Sequence, residues 1–177
     1  MIRFIENIDV SILEFIGNFL HFPILDPLFL FLTTIGNGGI IWSIIAVFLI
    51  ARKQTRETGI FVLLALLLSV VCVEIILKPL FGRLRPFQSY DAFKTILAGT
   101  KGFSFPSGHT TTSFAALGVL FGRTGNSKWG FVILAIGIAF SRLYFNLHYP
   151  SDILGGIILG LVCATIVTRY KFKKLKL

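Results

Sequence analysis

Two residues near the C-terminal end of the sequence, His148 and Asp152, have the spacing of a catalytic pair. They lie four residues apart at the predicted start of a helix that contains Pro150, so their side chains share one helix face. A carboxylate bound to one imidazole nitrogen fixes the tautomer and leaves the other nitrogen nucleophilic or basic. The pair therefore predicts nucleophilic or basic chemistry, and a histidine–aspartate bond that only caps the helix is the structural alternative.

A second group of chemically suited residues forms the sequence Pro-Ser-Gly-His at 106–109, directly before a long apolar run. Proline interrupts the incoming chain and Ser107 suits the N-cap position, so the unpaired backbone N–H groups of the helix start would face an anion. Gly108 allows the backbone to approach a ligand closely. His109 lies at the same helix end, which makes it a second candidate for proton transfer.

Three basic residues, Lys78, Arg85 and Arg142, lie near the ends of long apolar runs, close to these polar groups. If the apolar runs are membrane helices, as argued below, all three lie near one boundary of the membrane. Guanidinium groups bind phosphate through paired hydrogen bonds, and lysine adds a point charge. One such cation alone would suit snorkelling to the lipid headgroups, but three beside polar clusters favour a phosphate site. Glu74 lies one turn before Lys78 on the same helix face, and we expect it to pair with Lys78 and orient it.

Metal ligands are scarce in the same region. The chain has three histidines and eight acidic residues. After residue 57, the candidates predicted on the same side of the membrane as these clusters are His109, His148, Asp91 and Asp152, with Glu74 buried nearby. A two-metal phosphatase needs a richer carboxylate cluster, and cations already fill the phosphate-facing role. We therefore expect neither a metal nor another cofactor.

The elements that must position these residues are membrane helices. The chain is 55% hydrophobic with a mean hydropathy of +0.84, and a bilayer core needs about 20 apolar helical residues. A soluble all-α protein with this composition would have too little polar surface. The apolar runs cover residues 24–51, 57–81, 108–122, 129–145 and 150–168. We expect an all-α integral membrane protein with five transmembrane helices, the first weakened at residues 36–39.

The N-terminal segment differs from these runs. Residues 4–20 have apolar side chains at helical spacing, with Glu6, Asp9 and Glu14 spread among them. This pattern predicts an amphipathic helix in the membrane interface, since three carboxylates would be costly in a bilayer. A sixth transmembrane helix is the alternative. The expected domain covers 1–177, with an interfacial helix at 1–22, a transmembrane core at 24–168 and a basic cytoplasmic tail at 169–177.

The basic residues predict the orientation in the membrane. Ten of the seventeen lie in the turns at 52–56 and 123–128 or after residue 168, and lysine and arginine are retained on the cytoplasmic side. The polar groups described above then meet on the outer face. In a membrane chain a net charge of +9 reflects topology, so no nucleic-acid partner is expected. Cys72 and Cys163 lie inside apolar runs, which predicts no disulfide.

Three segments together resemble the signature of the type 2 phosphatidic acid phosphatase superfamily: Lys78-x6-Arg85-Pro86, Pro106–His109, and Ser141-Arg142-x5-His148-x3-Asp152. That superfamily includes lipid phosphate phosphatases, bacterial undecaprenyl pyrophosphate phosphatases, phosphatidylglycerophosphate phosphatases and lipid A phosphatases, and vanadium haloperoxidases share its site. The match covers about 75 residues, from 78 to 152, in the correct order and with no missing position.

The resemblance implies a role for each residue. His148 would be the nucleophile that forms a phosphohistidine, Asp152 would orient it, and His109 would protonate the leaving oxygen and then activate water. The phosphate oxygens would be held by Lys78, Arg85, Ser107, Gly108 and Arg142. Neither a metal nor another cofactor is needed in this scheme.

The resemblance also implies a multi-pass bacterial inner-membrane enzyme that removes phosphate from a lipid phosphate or pyrophosphate at the outer leaflet. Undecaprenyl pyrophosphate is the expected substrate, and lipid A, phosphatidylglycerophosphate and phosphatidic acid are the alternatives. A non-catalytic lipid-phosphate binding or transport protein is a rival that the presence of both His109 and His148 disfavours. A haloperoxidase would be expected on a large soluble scaffold. The sequence encodes neither the preferred lipid nor the oligomeric state.

Overall fold

The computed structural model describes residues 2–169, with side chains described from residue 4 onward. This part of the chain is helical and contains no strand, which confirms the predicted all-α class. Except for Arg169, the predicted basic tail at 169–177 lies outside the described residues.

Nine α-helices make up most of residues 2–169, and three of them are connected to their predecessor by a short 3-10 turn. The α-helices are α1 (Ile2–Phe19), α2 (Asp26–Ile35), α3 (Ile40–Ala51), α4 (Arg56–Val70), α5 (Lys78–Phe81), α6 (Pro86–Ser89), α7 (Gly108–Phe121), α8 (Lys128–Tyr144) and α9 (Pro150–Arg169). A π-helical segment, Val71–Leu77, joins α4 directly to α5. The 3-10 turns, Pro23–Leu25, Asn37–Gly39 and Gly125–Ser127, precede α2, α3 and α8.

Helix α7 lies at the centre of the bundle and packs against α4, α8 and α9. Its first turns carry the hydroxyl run Thr110–Ser113, which is buried. The backbone of α9 approaches α7 closely, because a Cβ atom at Gly160 would lie 2.5 Å from the Thr111 carbonyl oxygen. The buried hydroxyl run and Gly160 therefore serve the close packing of α7 against α9.

The predicted weak point in the run 24–51 is a true break. Gly38 and Gly39 have φ values of 57° and 71°, which interrupt the helix between α2 and α3 and favour glycine at both positions. Trp42 then anchors α3 to the centre of the bundle through a 3.0 Å hydrogen bond from its indole nitrogen to Ser113 Oγ. The break faces α7, and its consequence for the site is described below.

The number of membrane spans that length and composition support is smaller than the five predicted. Two stretches of the described chain, Arg56–Ser89 and Pro150–Arg169, are long and apolar enough to cross a bilayer. The helices Phe4–Phe19 and Pro23–Ile35 make a third candidate if they count as one span, but they meet at an angle of 96°. The five-span arrangement therefore stays a prediction.

Helix α1 is amphipathic, as predicted, but one acid lies on its inner side. Its exposed face carries Phe4, Ile5, Ile8, Ile12, Phe15 and Phe19. Leu13 and Ile16 are buried against the rest of the protein, together with Asp9, which is only 2% exposed. The apolar surface of α1 thus faces outward, and a carboxylate faces the bundle.

The close approach of α7 and α9 gives a prediction for stability. Replacing Gly160 with alanine places a methyl group against backbone atoms that cannot rotate away, so we expect a loss of about 1–3 kcal/mol in the free energy of unfolding. Thermal unfolding of the purified protein in detergent measures the change. Gly130 in α8 is the matched control, since a Cβ atom there has nothing within 4 Å. Equal melting of the Gly160→Ala and Gly130→Ala proteins would contradict this account.

Candidate active site

The three polar segments singled out in the sequence meet around one cavity of about 370 Å³. It opens among α4–α5, the start of α7, the end of α8 and the helix break before α3. The predicted site residues that line it are Glu74, Lys78, Arg85, Gly108, His109, Arg142 and His148. Ser107 and Asp152 are fully buried outside this lining. The predicted convergence of the segments is therefore present.

The surroundings of His148 determine its tautomer. Arg85 Nη1 lies 3.1 Å from His148 Nε2, and a guanidinium group can only donate hydrogen bonds. Nε2 must therefore be the nitrogen with the lone pair, and the proton of the neutral ring is on Nδ1. A neutral imidazole whose Nε2 lone pair lies beside an anion-binding cavity has the protonation state that a nucleophile needs, and in this structure that lone pair accepts the hydrogen bond from Arg85.

The other side of the ring faces Asp152, as the four-residue spacing predicted. His148 Nδ1 lies 3.5 Å from Asp152 Oδ2, and the hydroxyl of Ser104 lies close to both groups. Ser104 Oγ is 3.4 Å from His148 Nδ1 and donates a short hydrogen bond to Asp152 Oδ2. The serine oxygen can thus accept a hydrogen bond from Nδ1–H while the serine hydroxyl donates one to the carboxylate. Sequence reasoning assigned no role to Ser104.

His148 is held neutral by its environment. Burial disfavours the charged ring, and the nearby guanidinium groups of Arg142 and Arg85 add to this effect, while Asp152 opposes it. Burial and the two guanidinium groups outweigh Asp152, and the net effect lowers the pKa of His148 to about 3. The ring therefore keeps its nucleophilic form across the physiological pH range.

The cations of the cavity are fixed by backbone and hydroxyl oxygens. Arg85 donates to the carbonyl oxygens of Gly102, Leu147 and Lys101 at 3.1, 2.8 and 3.3 Å. Arg142 Nη1 donates to Thr33 Oγ1. The Nε atom of Arg142 is buried and has no hydrogen-bond partner within residues 2–169.

The predicted ion pair of Lys78 and Glu74 is present at 2.6 Å. The lysine side chain is 11% exposed and the glutamate side chain is 50% exposed, so Glu74 lies at the rim of the cavity. Gly108 lies against this pair, since a Cβ atom there would be 3.1 Å from Glu74 Oε1. The glycine thus lets the start of α7 approach the lysine closely.

Ser107 has the predicted N-cap role. Its hydroxyl accepts hydrogen bonds from the backbone N–H of Thr110 at 3.4 Å and from the Thr110 hydroxyl at 3.0 Å. Its own N–H donates to the Asp152 carbonyl oxygen at 3.2 Å, which connects the start of α7 to the start of α9. Its predicted contact with phosphate stays a prediction, because the hydroxyl is engaged within the protein.

His109 contacts the helix break that precedes α3. Its Nε2 atom lies 2.9 Å from Asn37 Oδ1 and 3.5 Å from Arg142 Nη1. Gly36 provides the room for this arrangement, because a Cβ atom there would be 3.0 Å from His109 Cδ2 and 2.8 Å from Ile138 Cγ2. Nε2 donates to the Asn37 amide oxygen when it carries a proton and accepts from Arg142 when it does not, and His109 lines the cavity.

Several site residues were outside the predicted set. They are Asp9, Asn37, Arg83, Lys101 and Ser104. Two signals in the sequence could have found some of them. Arg83 is a third cation between Lys78 and Pro86, and Asn37 is a polar residue flanked by glycines inside an apolar run.

The donor groups suit phosphoryl transfer without a resident metal. Within residues 2–169, no three His, Cys, Asp or Glu side chains lie close enough together to hold a metal ion. The cavity instead combines a neutral imidazole, a second histidine and several cations, which can position a phosphate and stabilise its developing charge.

Comparisons with known proteins agree with this chemistry. The family model of the PAP2 superfamily matches residues 58–176. The chain is 25% identical over 154 residues to undecaprenyl-diphosphatase BcrC of Bacillus subtilis, covering 85% of this chain and 77% of that protein. It is 32% identical over 164 residues to the lipid A 4'-phosphatase of Porphyromonas gingivalis, covering 85% and 67% respectively. The crystal structure of Aquifex aeolicus LpxE superposes with a TM-score of 0.75 at 26% identity, covering 91% of this chain and 94% of that one.

The state of His148 can be tested directly. Because burial and two guanidinium groups disfavour the imidazolium form, we expect the ring to remain neutral from pH 8 down to at least pH 5, well above its pKa of about 3. NMR of the protein with labelled histidines in micelles reports each ring, and comparison with the His148→Asn protein assigns the signal. A titration of that signal near the ordinary histidine pKa of about 6.5 would contradict the buried environment described here.

Proposed function

The chain belongs to the PAP2 superfamily and is a lipid phosphate hydrolase, and on this premise we propose that it works through a phosphohistidine on His148. One observation carries the proposal. The lone pair of His148 Nε2 is defined by the donor Arg85 at 3.1 Å and lies at a cavity that Lys78, Arg142 and His109 also line. A nucleophile, a proton donor and phosphate-binding cations thus surround one space.

The first step transfers the phosphoryl group to the enzyme. Lys78, Arg85 and Arg142 hold the phosphate oxygens, with the Ser107 hydroxyl group and the backbone N–H of Gly108. His109 enters this step as an imidazolium, with a proton on each nitrogen, because the negative charge of the bound phosphate favours that form. His148 Nε2 attacks phosphorus as the bond to the leaving oxygen breaks, and His109 gives its Nε2 proton to that oxygen and becomes neutral. The Nδ1 proton of His148 stays toward Ser104 and Asp152, whose negative charge offsets the positive charge that develops on the ring.

The second step releases phosphate. His109, now neutral, takes a proton from water as the water oxygen attacks phosphorus, and the N–P bond breaks to return the electron pair to His148. Inorganic phosphate then leaves the basic side chains that bound it. His109 again carries the proton for the next cycle. The protein supplies position and charge stabilisation, and no step requires a metal.

Undecaprenyl pyrophosphate is the substrate we favour. The cavity wall carries Lys78, Arg85, Lys101 and Arg142 against the single carboxylate of Glu74, and a diphosphate brings more charge to such a wall than a monoester. The similarity to BcrC supports this choice. Lipid A is the second candidate, because a lipid A 4'-phosphatase has the higher identity. Phosphatidylglycerophosphate and phosphatidic acid complete the set of lipids to compare.

We place the site at the outer face of the membrane, with five spans and α1 along the outer interface. The basic turns at 52–56 and 123–128 support this orientation, as do the 96° bend after α1 and its outward apolar face. Helix α7 has 14 residues and is therefore about 21 Å long. Its start would lie below the headgroups, where a lipid phosphate arrives from the side.

Activity without metal, and its dependence on His148, test the mechanism together. Purified protein in detergent with EDTA should release phosphate from a lipid phosphate. Replacing His148 with alanine should lower the rate by at least about 1,000-fold, because the phosphoenzyme can no longer form. His21→Ala is the matched control, since His21 lies outside the cavity lining. Full activity of the His148→Ala protein, or a strict metal requirement, would overturn the mechanism.

A substrate panel tests the lipid assignment separately. We expect kcat/KM for undecaprenyl pyrophosphate to exceed that for lipid A, phosphatidylglycerophosphate and phosphatidic acid, each presented in the same detergent. Phosphate release in the presence of EDTA gives the four values. A higher kcat/KM for lipid A would replace the favoured substrate and leave the phosphohistidine mechanism intact.

A further inference from the structure

Asp9 is a buried carboxylate on a helix whose opposite face is exposed and apolar. It is 2% exposed, and both of its oxygens are bound. Oδ1 accepts a hydrogen bond from the Ser151 backbone N–H at 2.8 Å. Oδ2 accepts from Arg83 Nη2 at 2.7 Å and from the Ser151 hydroxyl. A buried carboxylate is costly unless it is paired and hydrogen-bonded, so these partners define where α1 docks.

Arg83 connects Asp9 to the catalytic pair. Its Nη2 atom binds Asp9, while Nη1 donates to Asp152 Oδ1 and to Ser151 Oγ, each at 2.7 Å. The guanidinium carbon lies 3.9 Å from the centroid of the Tyr149 ring, and the side chain is 26% exposed. Two carboxylates and an aromatic face thus fix the plane of this guanidinium group.

The two oxygens of Asp152 have separate partners. Oδ1 is held by Arg83. Oδ2 accepts from the Ser104 hydroxyl and from the Tyr149 backbone N–H at 2.8 Å, and it faces His148 Nδ1. The contact with Arg83 therefore sets the rotation of the carboxylate that faces the imidazole.

Charge gives Asp9 a second effect. One guanidinium group shared between two carboxylates leaves a net negative charge beside His148. Without the charge of Asp9, the positive charge of Arg83 would be balanced by Asp152 only, and the three groups together would have no net charge. Asp152 would then stabilise less well the positive charge that develops on the His148 ring during phosphoryl transfer.

We propose that Asp9 and Arg83 are positioning residues for the His148–Asp152 pair, so that α1 is part of the catalytic unit. The inference rests on the proposed function, in which His148 is the nucleophile. Asp9 and Arg83 do not line the cavity, so they act through Asp152 and not on the substrate. The predicted interfacial helix thereby gains a role in the chemistry.

The test begins with Asp9→Asn, which keeps the shape of the side chain and removes its charge. We expect kcat to fall about 10- to 100-fold, the range for groups that orient a site residue, with KM within about twofold of the wild-type value. Glu14→Gln is the matched control, because Glu14 is an exposed acid of the same helix. It should keep the wild-type kcat. Unchanged kcat in Asp9→Asn, or a loss confined to KM, would overturn the proposal.

A double-mutant cycle separates positioning from general support of the fold. If Asp9 acts through Asp152, adding Asp9→Asn to Asp152→Asn should change the residual kcat by less than about twofold. Independent losses that multiply would overturn the proposal. If Asp9→Asn cannot be recovered folded, Arg83→Lys replaces it in the cycle, because an ammonium group lacks the fork that holds both carboxylates. A change of less than about twofold in the residual kcat then supports the proposal, and losses that multiply overturn it.

The His148→Ala protein distinguishes failure of this inference from failure of the proposed function. Full activity of His148→Ala would remove the nucleophile and with it the premise. An inactive His148→Ala protein beside a fully active Asp9→Asn protein would leave the phosphohistidine mechanism standing and overturn only the role of α1.

Discussion

The buried carboxylate of Asp152 is the group on which the site depends. It is fully buried, and burying an unpaired carboxylate would cost several kcal/mol. Arg83, Ser104 and the Tyr149 backbone N–H satisfy its oxygens, and its backbone oxygen accepts from Ser107. The loop after α5, the loop before α7 and the starts of α7 and α9 must therefore all be in place before this carboxylate is stable.

In the cavity beside this carboxylate, the buried charges are positive and repel one another. Arg85 and Arg142 both line the cavity, and each donates hydrogen bonds to oxygen atoms of the protein. A bound phosphate would relieve the repulsion between these cations. Because protein oxygens hold both guanidinium groups in place, little reorganisation would be needed when negative charge develops in the proposed transition state.

Close packing of α7 against α9 fixes the position of His109 relative to Asp152. The backbone of α9 lies against α7 at Gly160 and Gly156, so the helix starts that carry His109 and Asp152 cannot shift independently. The helix break at Gly38 and Gly39 then brings Asn37 beside His109. Contacts within the bundle thus place His109 relative to His148.

The sequence by itself determined the all-α class, the starts of α7 and α9, the ion pair of Lys78 with Glu74, and the meeting of three polar segments. The first three follow from the apolar runs or from spacing within one helix, and the meeting of the segments follows from the alternation of successive helices across the membrane. Only the tertiary structure decided that Ser104 lies beside His148 and Asp152, that Asn37 reaches His109, and that α1 turns Asp9 inward to Arg83. The physical reason is that these contacts join residues 44 to 74 positions apart. They depend on how each helix is rotated about its axis, and local spacing carries no information about that rotation.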